Sequence, residues 1–518
     1  MTSAAAPHNE DEIVIGTNAI QELATLPARD GQVVPAVRPT PTAAAEPVLC
    51  VDLDGTLLAT DLLFETVVAL ARKNPFLLLL IPFWLMQGKA VLKTRLAERA
   101  TIDPASLPYR EQVLLFLIEE KSRGRHIVLA TASDHRLAGA VADHVGVFDE
   151  VLASRDGRNL KGAQKLRALE DRFGPGNFDY IGDAVCDLPI WKACRRAYVV
   201  SNGGSLLAKA GECSSVERLA IGKQGDLKSL LRLLRPHQWA KNLLLFVPLV
   251  LAHRLLELTV LWQVLCAFVA FGCCASSVYI LNDLADLETD RRHATKRRRP
   301  LAAGTISLPI GAGLSALLAV EGFLIPTAAG LPLAFLGMLA LYMVVTTAYS
   351  LHLKRVALLD VFILAGLYAH RVLSGGVAAE TAVSGWLIAF SVFLFVSLAL
   401  AKRHTELSRA VTERRSEPDR RGYQLEDLGL TQSLGIAAGC AAVLPLCLYV
   451  NGPDVTQLYR SPDVLWVVCL VVFYWIARVW LLAGRRLLHE DPVFFALRDR
   501  VSYLAGAVIV ASLLLASF

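Results

Sequence analysis

Charge is scarce in this chain. Only 19% of its 518 residues are Asp, Glu, Lys or Arg, against about 25% in an ordinary soluble domain. With 54% hydrophobic residues and a mean hydropathy of +0.46, the composition excludes a single water-soluble globule. Ten cysteines are present, yet none forms a CxxC pair or a metal-ligand spacing, and Cys273 and Cys274 sit side by side in an apolar run. A zinc site and a disulfide framework are therefore not expected, and the cysteines read as small buried hydrophobes. Residues 1–45, with PHNEDE and RPTPTAAAEP, lack the apolar core and cleavage pattern of a secretory signal peptide and are expected to be flexible. Nothing points to a nucleic-acid partner.

The apolar residues are unevenly placed. Residues 1–235 read as mostly aqueous and residues 236–518 as repeated apolar spans, so at least two parts are expected, one of them in a lipid bilayer. Windows of about twenty residues predict nine spans, near 240–257, 260–281, 306–326, 331–350, 357–376, 385–401, 432–450, 464–483 and 500–517. Alternate loops are basic, with Arg291 to Arg299, Lys354 with Arg355, Lys402 to Arg421, and Arg485 to Arg500. The positive-inside bias puts these loops, and with them the N-terminal part, in the cytoplasm. An odd number of spans puts the C-terminus on the far side.

One stretch joins apolar sequence to dense charge: YILNDLADLETDRRHATKRRRPLAAG, residues 279–304. A helix-end anchor explains its cations but not carboxylates at helical spacing. Asn282, Asp286 and Asp290 follow at i, i+4 and i+8 and line one helix face, and Asp283 can point to the same cavity. Carboxylates this close repel unless a cation neutralises them, and desolvation at a membrane edge sharpens the repulsion. Oxygen ligands of this kind suit Mg²⁺, which completes its octahedron with substrate phosphate and water. Lys296, Arg297, Arg298 and Arg299 can then pair with phosphate oxygens. A second charged group follows, with Tyr349, Lys354 and Asp360 in YSLHLKRVALLD and Arg371 inside the fifth span. Asp360 and Arg371 lie about three turns apart on one helix face. An arginine at that depth needs a polar cavity or a partner.

NDLADLETD resembles the NDxxDxxxD signature of the UbiA superfamily of membrane prenyltransferases, nine-helix bundles that use Mg²⁺ to ionise a diphosphate. Residues 228–430 resemble more specifically the decaprenyl-phosphate phosphoribosyltransferases of bacteria. LRPHQWAKN (235–242 within it), the acidic stretch with its HATKRRRP, YSLHLKRVALLD, and AKRHTEL carry that likeness. The resemblance implies an all-α transmembrane bundle in a bacterial inner membrane, with its site at the cytoplasmic face. It implies Asp283 and Asp286 as catalytic residues and Asp283, Asp286 and Asp290 as metal ligands. Lys241, Asn282, Lys296, Arg297, Arg299, Tyr349, Lys354, Asp360, Arg371, Lys402 and Arg403 would bind substrate. The substrates implied are phosphoribosyl diphosphate and a polyprenyl (decaprenyl) phosphate. The cation-rich mouth suits the three phosphate groups of that reaction better than a neutral aromatic acceptor.

The aqueous part carries VLCVDLDGTLLA (48–59), HIVLATASD (126–134), NLKGAQK and FDYIGDAVCD (178–187). Their order resembles the four motifs of the haloacid dehalogenase superfamily, which implies an α/β doubly wound domain with polar residues at the carboxyl ends of parallel strands. Asp52 would be the nucleophile and Asp54 the acid and base. Thr131 and Lys161, with Lys165 as the alternative, would hold the transferring phosphoryl group. Asp52, Asp54 through its carbonyl, Asp183 and Asp187 would hold Mg²⁺. Between motifs I and II, residues 74–93 contain FLLLLIPFWLM, which is short for a span and interrupted by Pro82. It is expected to belong to a small helical cap, near 62–105, that rests on or dips into the membrane surface.

The expected organisation is a flexible segment 1–45, a phosphatase-like domain 46–212, a linker or interfacial helix 213–235, and a transmembrane transferase 236–518. The expected activity is phosphoribosyl transfer to a polyprenyl phosphate, followed by removal of the 5-phosphate. Alternatives are a conventional prenyl transfer to an aromatic acceptor and a membrane transporter with a regulatory domain. Polyprenyl length and oligomeric state are not legible.

Overall fold

The computed structural model describes residues 46–155, 158–201, 204–211, 215–219, 225–412, 422–452, 455, 459–488, 495–496 and 498–517. The expectation of a flexible 1–45, and part of the basic loop 402–425, lie outside the described residues. The chain forms two compact units, Met1–Lys223 with Arg291–Arg297, and Gln224–Asp290 with Arg298–Phe518.

The first unit is built on a six-stranded parallel sheet in the order β3-β2-β1-β4-β5-β6. The strands are β1 (Val48–Val51), β2 (Ile127–Asp134), β3 (Glu150–Ser154), β4 (Phe178–Gly182), β5 (Arg196–Val200) and β6 (Ser215–Leu219). Continuous apolar runs form the central strands because both faces of the sheet are covered. Leu49 and Val51 join a cluster with Leu117 and Ala138 on one face, whereas Cys50 joins Val128, Tyr180 and Trp191 on the other. That alternation is the two-residue period of a strand. It leaves the residue after β1, Asp52, at the carboxyl edge beside β2 and β4.

Between β1 and β2 the chain forms helices Leu62–Lys73, Pro75–Leu80 (3₁₀), Ile81–Met86 and Lys89–Arg99. Asp61 caps the first by accepting from the Leu63 amide at 2.8 Å. Leu70, Trp84, Leu92 and Leu96 give this insertion its own small core.

The second unit is helical. Among the described residues, eight helices are long and apolar enough to cross a membrane: Leu258–Ala285, Leu308–Ala328, Leu333–Leu351, Leu359–Ala378, Gly385–Val411, Leu425–Val450, Pro462–Gly484 and Arg500–Ser517. The protein is a multi-pass membrane protein. The window expected at 240–257 is different. It forms an eleven-residue 3₁₀ helix, Pro236–Phe246, and a five-residue α-helix, Val247–Leu251. Hydropathy is blind to helix type. Gly375 lets the backbone of Leu245 lie directly against the helix Leu359–Ala378, where a Cβ would collide with the Leu245 carbonyl. Elsewhere small polar residues close the helix pairs, as expected in lipid. Ser277 Oγ donates to the Ser315 carbonyl at 2.8 Å, and Ser397 Oγ donates to the Gly435 carbonyl at 2.7 Å.

Candidate active sites

In the first unit the carboxyl ends of β1, β2 and β4 bring together Asp52, Thr131 and Asp183, with Asp187 following on a short 3₁₀ turn. Asp52, Asp183 and Asp187 each offer a carboxylate oxygen, and these atoms all lie within 4.8 Å of one another. Lys165 Nζ donates to Asp52 Oδ1 at 2.7 Å and to Tyr180 Oη at 2.9 Å. Tyr180 in turn donates to Asp187 Oδ1 at 3.2 Å. The motif lysine that contacts Asp52 is thus Lys165, and Lys161 is exposed. Gly162, at φ 56°, turns the chain into helix Ala163–Phe173, whose first turn points Lys165 inward.

Burial and the negative charges of Asp52 and Asp187 push the Asp183 carboxyl up to about 7. Burial and Asp52 push Asp187 up to about 6. The cluster therefore holds more negative charge than Lys165 offsets, and its hard oxygen donors suit a divalent cation such as Mg²⁺. Gly55, at φ 81°, lies so close to the Asp183 carboxylate that a Cβ there would strike it. Thr56 Oγ1 donates to Asp183 Oδ1 at 3.1 Å.

Asp54 is set apart from the metal-ligand cluster. Its Oδ1 accepts from the Leu62 amide at 2.8 Å and its Oδ2 from Ser133 Oγ at 2.6 Å. Burial, then the charge of Asp61, pushes its carboxyl up to about 7, which suits a group that must both give and take a proton near neutrality. Thr131 is fully buried and its hydroxyl accepts from the Ser133 amide at 3.0 Å. Tyr180 and Ser133 were not anticipated. Both lie within the quoted motifs, but spacing alone does not reveal their partners.

In the second unit the acidic stretch ends helix Leu258–Ala285 and continues as Leu287–Arg292. A turn at Asp286 separates the two helices, yet the hydrogen-bond ladder continues across it, its amide donating to the Asn282 carbonyl and its carbonyl accepting from the Asp290 amide, both at 2.8 Å. Asp283 and Asp290 are each 2% exposed. Arg235 Nη2 bonds both oxygens of Asp283 at 2.6 and 2.8 Å. Arg299 Nη1 bridges Asp283 at 3.0 Å and Asp290 at 2.5 Å. Asp286 faces Lys354 at 3.6 Å with about half its side chain exposed, and Asn282 donates to Ser350 Oγ at 2.8 Å.

The expected three-aspartate ligand set is thus not assembled. Among the described residues the only such cluster is that of the first unit. In the second, two arginines occupy the oxygens a metal would use. Buried carboxylates at a membrane edge require counter-charges, and Arg235 and Arg299 supply them. The residues still fit a cation carrying diphosphate, since the same guanidiniums can pair with phosphate. Arg235 was not anticipated as a site residue. It lies 48 residues before Asp283 and holds a left-handed backbone, φ 51°, a conformation that costs a non-glycine residue about 1 kcal/mol.

The remaining candidates divide. Arg371 donates to Asn242 Oδ1 at 3.0 Å, the Leu367 carbonyl at 2.7 Å and Tyr342 Oη at 3.1 Å. Lys241 Nζ lies 5.7 Å from the centre of the Tyr368 ring, over which Arg371 also sits. Asp360 does not meet Arg371. It is fully buried, and its oxygens accept from Arg403 Nε at 2.6 Å and Tyr423 Oη at 2.7 Å, a set of partners that anchors helices. Arg403 also pairs with Glu406. Tyr349 and Lys402 are half-buried. Lys296 and Arg297 fall in Arg291–Arg297, the segment that belongs to the first unit.

Residues 243–499 match the sequence model of the UbiA prenyltransferase family. An uncharacterized protein of Sinorhizobium fredii, y4nM, is 41% identical over 473 residues, 91% of each chain. The nodulation protein NoeC of Azorhizobium caulinodans is 36% identical over 267 residues, 51% of this chain and 85% of that protein. The decaprenyl-phosphate phosphoribosyltransferase of Mycolicibacterium smegmatis is 38% identical over 188 residues, 36% of this chain and 58% of that protein.

Proposed function

Because the chain belongs to the UbiA prenyltransferase family, we propose that its second unit transfers 5-phosphoribose from phosphoribosyl diphosphate to a polyprenyl phosphate at the cytoplasmic face of a bacterial plasma membrane. The first unit then acts as a phosphatase that removes the 5-phosphate from the lipid-linked product. The observation that carries the transferase reading is the buried pair Asp283 and Asp290 ringed by Arg235 and Arg299, at a mouth rich in further cations. The likeness to a decaprenyl-phosphate phosphoribosyltransferase supports the choice of donor. A polyprenyl phosphate oxygen attacks C1 of the ribose and diphosphate leaves. Mg²⁺ would stabilise the departing charge, and Asp283, Asp286 and Asp290 would hold it only once Arg235 and Arg299 turn from Asp283 and Asp290 to the phosphates. Arg235, Arg299 and Lys354 bind phosphate oxygens, while Arg371 and Lys241 extend the polar surface between the helices.

The phosphatase reading rests on the contact of Lys165 with Asp52 beside Asp183 and Asp187. Asp52 attacks phosphorus. Asp54, holding a proton near neutrality, gives it to the leaving ribose oxygen and then takes one from the water that hydrolyses the aspartyl phosphate. Lys165 restrains the charge on Asp52 during both steps. Mg²⁺ held by Asp52, Asp183 and Asp187 would screen the phosphoryl oxygens from the attacking carboxylate.

The test uses purified protein with decaprenyl phosphate, Mg²⁺ and ribose-labelled phosphoribosyl diphosphate, with the lipid extract read by mass. Label in the lipid, lost with Asp283→Asn, is the expected result. No label, together with turnover of an isoprenyl diphosphate on an aromatic acceptor, would replace this reading with conventional prenyl transfer.

A further inference from the structure

The insertion between β1 and β2 is apolar on two sides. Its inner side packs Trp84, Leu77 and Ile81 against Leu70, Leu92 and Leu96. Its outer side leaves Phe76 and Leu79 each 76% exposed, Phe83 60% and Met86 87%, with Leu80 and Leu85 beside them. A short helix that is greasy all round belongs in a non-aqueous setting, and a contiguous exposed patch of this kind marks an interaction surface. Along the chain the nearest charges on either side of it are basic. From Thr66 to Ala97 the sequence has no Asp or Glu, yet it carries Arg72, Lys73, Lys89, Lys93 and Arg95. Arg72, Lys73 and Lys89 are exposed at the two ends of the apolar segment. An apolar face flanked by cations has the chemistry of a helix lying in the headgroup region of an anionic bilayer. At twelve residues, Pro75–Met86 is too short to cross one. The opposite side of the same insertion reaches the catalytic centre, where Lys93 Nζ donates to the carbonyl of Ala132 at 2.6 Å, next to Thr131 and Ser133.

We propose that the outer face of Pro75–Met86 lies in the interface of an anionic bilayer, so that the first unit receives a phosphorylated substrate from the membrane surface rather than from bulk water. The docking claim stands on exposure and charge. The substrate claim rests on the phosphatase reading.

The experiment places photoreactive benzoylphenylalanine at Phe83, or at Asp171 as an exposed control, in the full chain. The chain is reconstituted in nanodiscs of phosphatidylcholine and radiolabelled phosphatidylglycerol. Irradiation is expected to label the chain with phospholipid about tenfold more from position 83 than from 171, and Lys73→Glu with Lys89→Glu should lower that yield severalfold. Equal labelling at the two positions, a covalent dimer, or a crosslink within the chain in place of lipid would overturn the proposal. A second arm uses Phe76→Ser with Phe83→Ser and Met86→Ser, which touch solvent-facing side chains. It compares hydrolysis of the lipid-linked phosphate with that of p-nitrophenyl phosphate. A loss confined to the lipid substrate supports delivery from the membrane, and equal rates on both overturn it. Failure of wild type on both substrates would defeat the phosphatase reading and the substrate claim, while the lipid crosslink would still decide docking.

Discussion

Three carboxylates crowd together in the first unit, and Lys165 pairs with one of them, Asp52. In the second, two buried carboxylates are held by Arg235 and Arg299. The first arrangement gathers three acids beside one lysine, and burial, with the charge of Asp52 added to it, raises the carboxyls of Asp183 and Asp187. The second carries its counter-ions within the protein. The difference does not follow from exposure, since Asp52 and Asp187 are about as buried as Asp283 and Asp290; what separates the two sites is how their counter-ions are arranged. In the first site the acids stand together, and in the second they are already paired with arginine.

The largest effects should come from the groups that react. Asp52→Asn should lower 5-phosphate removal by about ten-thousand-fold or more while label still enters the lipid, which therefore keeps its 5-phosphate. Asp283→Asn should abolish lipid labelling while hydrolysis of p-nitrophenyl phosphate continues. Mass analysis of the lipid extract reads both. If either substitution stops both reactions, the two sites are not separate as the comparison requires.

Next in size is the lysine at the nucleophile. Lys165→Met should cost about a hundredfold or more in phosphatase kcat/KM, because it strips the positive charge from Asp52. Lys161→Met should cost less than about threefold, as expected of an exposed residue that does not touch the nucleophile. The reverse order would return the motif lysine to position 161.

This pair of lysines shows where sequence reading stops. VLCVDLDGT and FDYIGDAVCD place their aspartates at strand ends because an apolar run fixes the strand and the next residues must follow at its edge. NLKGAQK contains two lysines four apart, and only the turn at Gly162 decides which one enters the site. The later eight spans were legible from hydropathy alone. The segment after Arg235 was not, because hydropathy carries no information about helix type, and its close approach to Gly375 joins residues more than a hundred apart. Asn282, Asp286 and Asp290 read as one helix face, but it is Asp283 that meets Asp290, through Arg299, while Asp286 turns to Lys354. Arg235 precedes Asp283 by 48 residues, and Arg403, which claims Asp360, follows it by 43. No local pattern encodes such pairings. Chain order reveals which residues carry chemistry, while tertiary packing decides which of them are already neutralised.

Stability offers a sharper version of the comparison. Arg299→Ala removes the cation shared by Asp283 and Asp290, leaving Asp283 to Arg235 and taking a counter-charge from buried Asp290. A loss of about 2 kcal/mol is expected, read as a lower Tm in detergent without Mg²⁺. No change in Tm would mean that the acids find water or other cations, and that the second site is no more self-neutralised than the first.

The smallest effect has the opposite sign. Asp187→Asn takes one charge from a cluster that has too many, so in EDTA at pH 8 it should stabilise the first unit by about 1 kcal/mol. The folded carboxyl is raised to about 6 from an ordinary 3.8, so the folded state binds its proton more tightly than the unfolded chain does. The cost of Asp187 is therefore absent below the unfolded value, develops as pH rises through 3.8 and is complete above about 6. The gain from Asp187→Asn should accordingly vanish at pH 3.5 if the chain remains folded there. Saturating Mg²⁺ at pH 8 should reverse the order of Tm, since wild type then gains the binding energy of its metal and the variant, lacking one ligand, gains less. A variant that is less stable than wild type in EDTA at pH 8 would show that Tyr180 and the Ala184 amide, both bonded to Asp187, outweigh the repulsion, and that the first site is balanced like the second.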